Sequence, residues 1–146
     1  MSLQLLQLAE REKIIVEYWE LERPLEAIYW NESGRAAIGL SESLSECRAH
    51  YRTVLAEELG HHFTSACDGL SGTYYHYANR VNINREEYRA LKWAAQYLIP
   101  DDKLYTACQG NHWEPWKLAS CFNVDESLVD FRLRLLRIQR KERRLK

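Results

Sequence analysis

The sequence is short of the residues that staple or anchor a chain. Its four cysteines, Cys47, Cys67, Cys108 and Cys121, stand far apart and form no Cys-x-x-Cys pair. That argues against a cysteine-only zinc knuckle and leaves buried thiols in a reducing compartment as their expected state. No apolar run approaches the roughly 20 residues that a membrane helix needs. The opening stretch MSLQLLQLAEREK has no basic segment leading into an apolar core, so it does not read as a signal peptide. These absences point to a cytoplasmic protein that makes no use of a membrane. There is no internal repeat and no low-complexity segment. What remains is ordinary for a folded protein: 46% hydrophobic and 28% charged residues, in a length that suits one domain over residues 1–146 and does not require disulfides.

Nor is there a large charge of one sign. The formal net charge is -1, but it is divided unevenly. Residues 1–62 carry a net -5 and residues 63–146 a net +4, with much of the positive excess between Arg132 and Lys146. A basic terminal stretch is compatible with an acidic partner, and more simply with a solvated helix.

The pattern of apolar residues predicts an α+β fold. Ser2 to Glu12 reads as a short helix with Leu5, Leu6, Leu8 and Ala9 inward. Ile14–Tyr18, Ala27–Trp30 and Ala36–Leu40 read as strands of a small three-stranded antiparallel sheet, the last two joined through a turn at NESG. Ser43 and Glu46 have capping-box spacing, so a helix is expected from about Leu44 to Ala66. Gly69 and Gly72 mark a loop. A second helix runs from about Arg85 to Leu98 and stops before Pro100. Three further helices are expected near 102–108, 115–122 and 126–143. This order divides the chain into residues 1–100, with the sheet and two long helices, and a helical part, 101–146.

The chemistry concentrates in LAEELGHHFT. On a helix, Glu57 and His61 are one turn apart on the same face. Zinc-peptidase helices use H-E-x-x-H, in which the two outer side chains hold the metal and the inner Glu serves as general base. Here the string is E-E-L-G-H. Glu58 occupies the general-base position, His61 the second ligand position, and Glu57 the first, where a carboxylate is an accepted zinc donor. Two carboxylates and an imidazole neutralise a divalent ion, so water at such a site should ionise at a higher pH than at a two-histidine site. On a helical wheel Leu55, Leu59, Phe63 and Ala66 share one side, Glu57 and His61 lie nearly opposite, and Glu58 falls between. Gly60 leaves room for a close backbone or ligand. Glu58 and His62 form the competing pair, flanking the apolar stripe.

LAEELGHHFT followed by EYRALKWAAQYLIP resembles the ImmA/IrrE-type zinc metallopeptidases of phages and integrative mobile elements. Members carry an AHELGH-like helix and, some two to three dozen residues later, a helix of the type E-x-x-A-x-x-F-A-x-x-L-L-M-P. The corresponding residues are Glu87, Ala90, Trp93, Ala94, Leu98, Ile99 and Pro100. The resemblance extends to YWNESGRAAIGLSESLSE and to WKLASCFNVDESLVDFRLRLL, and so covers nearly the whole chain. It implies a zincin-like fold, a zinc ion, a cytoplasmic location and cleavage of a protein partner, often a helix-turn-helix repressor. It also implies Glu87 as third metal ligand, a role for which the adjacent Glu86 is the alternative from the sequence itself. The departure is Glu57 where the family usually has His.

His76, in YYHYANRVN, is a candidate stabiliser of an oxyanion, with Tyr74, Tyr75 and Tyr77 as neighbours of similar capability. His50 and His112 belong to no visible constellation. LASCFNVDESLVDFRLRLL has the cadence of a helix-turn-helix, but its presumed recognition stretch DESLVDF is acidic and would repel phosphates. Packing or partner docking is therefore expected there, and direct nucleic-acid binding is not. Two functions stay open from the sequence: a zinc endopeptidase, and a module of the same fold that binds a regulatory protein without cutting it.

Overall fold

The computed structural model describes residues 2–65, 69–73, 85–110 and 114–146, with the backbone alone described for 69–73. Helix α1 (Leu3–Arg11) leads into strand β1 (Ile14–Tyr18). Leu5 and Ala9 of α1 are buried and Leu6 is exposed, so the inward face is narrower than expected. Strands β2 (Ala27–Glu32) and β3 (Arg35–Leu40) form a hairpin whose two-residue loop, Ser33–Gly34, has φ of 52° and 80°. Left-handed φ at both positions matches the twist of the flanking strands. Asn31, expected in the turn, is paired inside β2.

The α+β class holds, but the sheet is mixed rather than purely antiparallel. Its order is β1-β3-β2-β4, and β1 runs parallel to β3 in the register Ile14↔Ala36 to Tyr18↔Leu40. The chain leaves β1, skips one position to lay down β2, and the hairpin then returns β3 into the gap. The fourth strand, β4 (Gly69–Thr73), pairs antiparallel with β2 in the register Asn31↔Gly69 to Ala27↔Thr73. It replaces the loop expected at Gly69 and Gly72. In so glycine-rich a segment, pairing with a neighbour outweighs side-chain propensity.

The predicted helix start at Leu44 is also corrected. Glu42–Glu46 is a 3₁₀ turn anchored by buried Leu44, and Ser41 rather than Ser43 caps it by accepting from the Ser43 N–H at 3.4 Å. Cys47 is extended, and helix α2 (Arg48–Thr64) begins after it. Every residue from Thr53 to His61 is buried. Between Thr53 and His61 the helix has no solvent face, so a two-sided wheel does not describe it; Phe63, expected on the apolar side, lies past the enclosed stretch and is exposed.

Helix α3 (Arg85–Leu98) lies along α2 and has the bounds expected from the sequence. Gly60 sets their separation. A Cβ there would fall 2.9 Å from Cα of Ala90 and nearer still to the Ala90 carbonyl oxygen, so only glycine permits this approach. Beside it, Phe63 stacks on Trp93 at 4.8 Å and Trp93 on Tyr97 at 4.9 Å between ring centroids.

Helices α4 (Asp101–Gln109), α5 (Pro115–Phe122) and α6 (Glu126–Arg144) complete the chain. α5 ends on Asn123 in the left-handed conformation. Arg132 of α6 is 1% exposed; its Nε–H donates to the Ile99 carbonyl at 2.9 Å, and its guanidinium pairs with Asp101. The buried core is continuous from Leu5 through Ile38, Leu55 and Leu91 to Leu118 and Leu128. Among the described residues, no helix is long and apolar enough to cross a membrane. Cys47 and Cys121 are exposed thiols and Cys108 is half-buried, contrary to the expectation of buried cysteines; Cys67 lies outside the described residues.

Candidate metal centre

The α2–α3 contact at Gly60 and Ala90 determines what meets at the site. His61 follows Gly60 directly, Glu57 is one turn before His61, and Glu87 is nearly one turn before Ala90. Close packing therefore carries Glu87 over His61. One donor atom from each of Glu57, His61 and Glu87 lies within 4.8 Å of the other two. His61 Nε2 and Glu87 Oε1 are 3.6 Å apart. Glu57 and His61 are fully buried, while the Glu87 side chain is half-buried at the open side. Glu58 is also fully buried.

The donor set fits a zinc ion. Imidazole nitrogen and carboxylate oxygen are both accepted donors, and donors about 2.0–2.1 Å from a tetrahedral ion stand roughly 3.4 Å from one another, close to the His61–Glu87 separation. Three protein donors also leave a fourth position for water or substrate, as catalytic rather than structural zinc sites do.

The competing pair, Glu58 and His62, is not brought together with a third donor among the described residues. His62 turns the other way. Its Nδ1 shares a hydrogen bond of 2.9 Å with the Tyr29 hydroxyl, and its Nε2 lies 3.5 Å from Glu12. Tyr29, on β2, also lies parallel to the His61 ring, at 6.5 Å between centroids and 12° between planes. The sheet thus touches both histidines through one tyrosine. No sequence signal marked Tyr29 or Glu12, because their partners are remote in the chain. Glu86, the alternative to Glu87, is exposed on α3. His76, Tyr74, Tyr75, Tyr77 and His112 lie outside the described residues.

A second cluster surrounds His50, which the sequence marked as isolated. Its Nδ1 lies 2.6 Å from Asp125 and its Nε2 2.9 Å from Glu26. Burial alone would lower its pKa. Hydrogen bonds to Asp125 and then Glu26, with their negative charges, outweigh burial and raise it to about 9. Carboxylates at opposite ring nitrogens cannot converge on one ion, so this cluster serves as a fastening rather than a metal site.

A carboxylate–imidazole–carboxylate group that could hold a metal ion thus lies between two packed helices beside a small mixed sheet, an arrangement compatible with a metallopeptidase-type domain. The model of the Peptidase M78 family, described as the IrrE N-terminal-like domain, matches residues 10–134, and the chain belongs to that family. No curated protein gives a significant match.

Proposed function

We propose that the chain is a zinc-dependent endopeptidase acting on a protein partner in the cytoplasm. The observation that carries this reading is the convergence of Glu57, His61 and Glu87, with Glu58 buried on the same helix. Glu57 and His61 hold the ion from α2, and Glu87 holds it from α3. Zinc supplies Lewis acidity for the scissile carbonyl and lowers the pKa of the attacking water. Glu58 takes the proton from that water and delivers it to the departing amine. His76 is the candidate donor to the oxyanion. The partner class that suits the family resemblance is a helix-turn-helix repressor of a phage or mobile element. Residues 1–146 then act as one domain, with 101–146 as a helical subdomain for packing or docking.

The use of Glu57 as first ligand favours one other reading, a module that binds a regulatory protein and cleaves it weakly or not at all. Metal analysis of the purified protein, combined with incubation against the repressor encoded next to its gene, separates the two. Cleavage that depends on zinc and disappears in Glu58→Gln supports the peptidase. Cleavage that persists in Glu58→Gln removes this mechanism, and binding without cleavage in the zinc-loaded protein supports the module.

A further inference from the structure

A cleft among the described residues shares no lining residue with the candidate metal centre. It opens between α4 and α6 and encloses about 840 Å³. Tyr105, Leu133 and Leu136 supply its accessible apolar lining, over the core residues Leu104 and Leu118. Arg137, Arg140 and Arg143 rise along one wall, three residues apart on α6, so successive guanidinium groups follow one side of the helix. All three are exposed. Asp101 and Asp102 stand at one end, and Asp101 already pairs with Arg132. No described side chain fills the space.

We propose that this cleft is a docking groove for an acidic amphipathic helix of a partner protein. An apolar lining from two helices, Tyr105 of α4 with Leu133 and Leu136 of α6, receives the apolar face of a third, the helix-in-groove mode of recognition. The arginine wall selects acidic residues along that helix and, by complementary charge, speeds encounter and rejects basic competitors. Nucleic acid would use the arginines but leave the apolar lining unmatched. α4 is nine residues long, about 13 Å, so the groove accepts two to three turns of the occupant. Docking is separate from catalysis, and it can be read without cleavage; its failure leaves the peptidase reading standing, and the reverse also holds.

The experiment uses the full chain and designed helical peptides of about 14 residues, with leucines at i, i+3, i+4 and i+7 flanked by glutamates. Matched peptides carry lysines in place of the glutamates, and a labelled DNA duplex forms the third arm. Fluorescence anisotropy should show the acidic helix binding at least about tenfold more tightly than the basic one, the effect of a few rim charges. Arg137→Glu with Arg140→Glu, both on the exposed side of α6, should abolish that preference while leaving the thermal midpoint and zinc content unchanged. Equal binding of both peptides, binding of neither, or tighter binding of the duplex than of the acidic helix would overturn the proposal. So would sedimentation showing a dimer that the same double substitution dissociates, because the groove's occupant would then be a second copy of the chain.

Discussion

His50 Nδ1 and Asp125 Oδ2 lie 2.6 Å apart although 75 residues separate them in sequence. Asp125 is the residue that opens α6, and its backbone N–H donates to Thr53 Oγ1 at 2.9 Å. His50 and Thr53 both belong to α2, the helix that carries Glu57, Glu58 and His61. The contact fastens the C-terminal helices to the candidate site helix, and Glu26 at 2.9 Å adds the segment before β2.

This fastening predicts a pH dependence. The imidazole's pKa is raised from 6.5 to about 9 in the folded chain. A raised cationic pKa stabilises fully below the unfolded value of 6.5 and loses that stabilisation as pH climbs through about 9. The interval corresponds to on the order of 3 kcal/mol. Urea midpoints of the wild type should therefore fall between pH 6.5 and 9.5, and those of His50→Gln should start lower and stay flatter. Parallel pH profiles for the two proteins would remove the charged imidazole as the cause.

Gly60 offers a test of how the site is assembled. In Gly60→Ala the new methyl group meets the backbone of Ala90, which cannot swing aside as a side chain does. α3 must retreat, taking Glu87 with it. A stability loss of about 1–3 kcal/mol is expected from overpacking, together with weaker zinc binding. Calorimetry of the apo protein and zinc titration measure the two separately. Unchanged zinc affinity in a folded Gly60→Ala protein would show that Glu87 does not depend on this contact.

Some of this architecture was readable from local pattern, because local physics decides it. Helix α3 shows a 14-residue amphipathic run closed by Ile99-Pro100, and both its ends fall where that pattern puts them. The Glu57–His61 spacing is likewise local. The parallel pairing of β1 with β3 is not, since it depends on how residues 19–26 cross the sheet. β4 is a strand because β2 offers it hydrogen-bonding partners, and its glycines alone read as a loop. Glu87 follows from family resemblance; spacing leaves it level with Glu86, and the α2–α3 packing brings Glu87 to His61 while Glu86 stays exposed. His50 looked isolated because both of its partners, Glu26 and Asp125, are remote in sequence.

Arg132 separates two effects at the junction of α3, α4 and α6. Its Nε–H satisfies the carbonyl at the end of α3, and its terminal nitrogen pairs with Asp101, whose side chain is 68% exposed. Exposure weakens the ion pair, so Asp101→Asn should cost less than about 1 kcal/mol. Arg132→Ala removes the buried hydrogen bond and the packed stem as well, and should cost about 3–5 kcal/mol. Urea denaturation of the two variants tests the ordering. Equal losses would mean that the ion pair, rather than the carbonyl bond and packing, carries the junction.

In the proposed metal centre Glu57 is the first ligand. Buried Glu57 and half-buried Glu87 meet at one fully buried imidazole, with Glu58 buried on the same helix. Two carboxylates whose oxygens lie within 4.8 Å of each other oppose one another when no cation offsets them. In the presence of chelator, Glu57→Gln should therefore melt higher than the wild type. Saturating zinc should reverse the order, since an ion binding only the folded state stabilises by about 2.7 kcal/mol at a hundredfold excess over Kd, and the variant lacks one donor. Glu57→His keeps three donors, places an imidazole in the position the family usually gives to His, and removes one anion. It should bind zinc more tightly than the wild type and keep the zinc-dependent rise in melting temperature. Melting curves with chelator and with zinc, together with zinc titration of the three proteins, decide the matter. If all three gain equally from zinc, Glu57 does not touch the ion, and the carboxylate–imidazole–carboxylate assignment must be redrawn around His61 and Glu87.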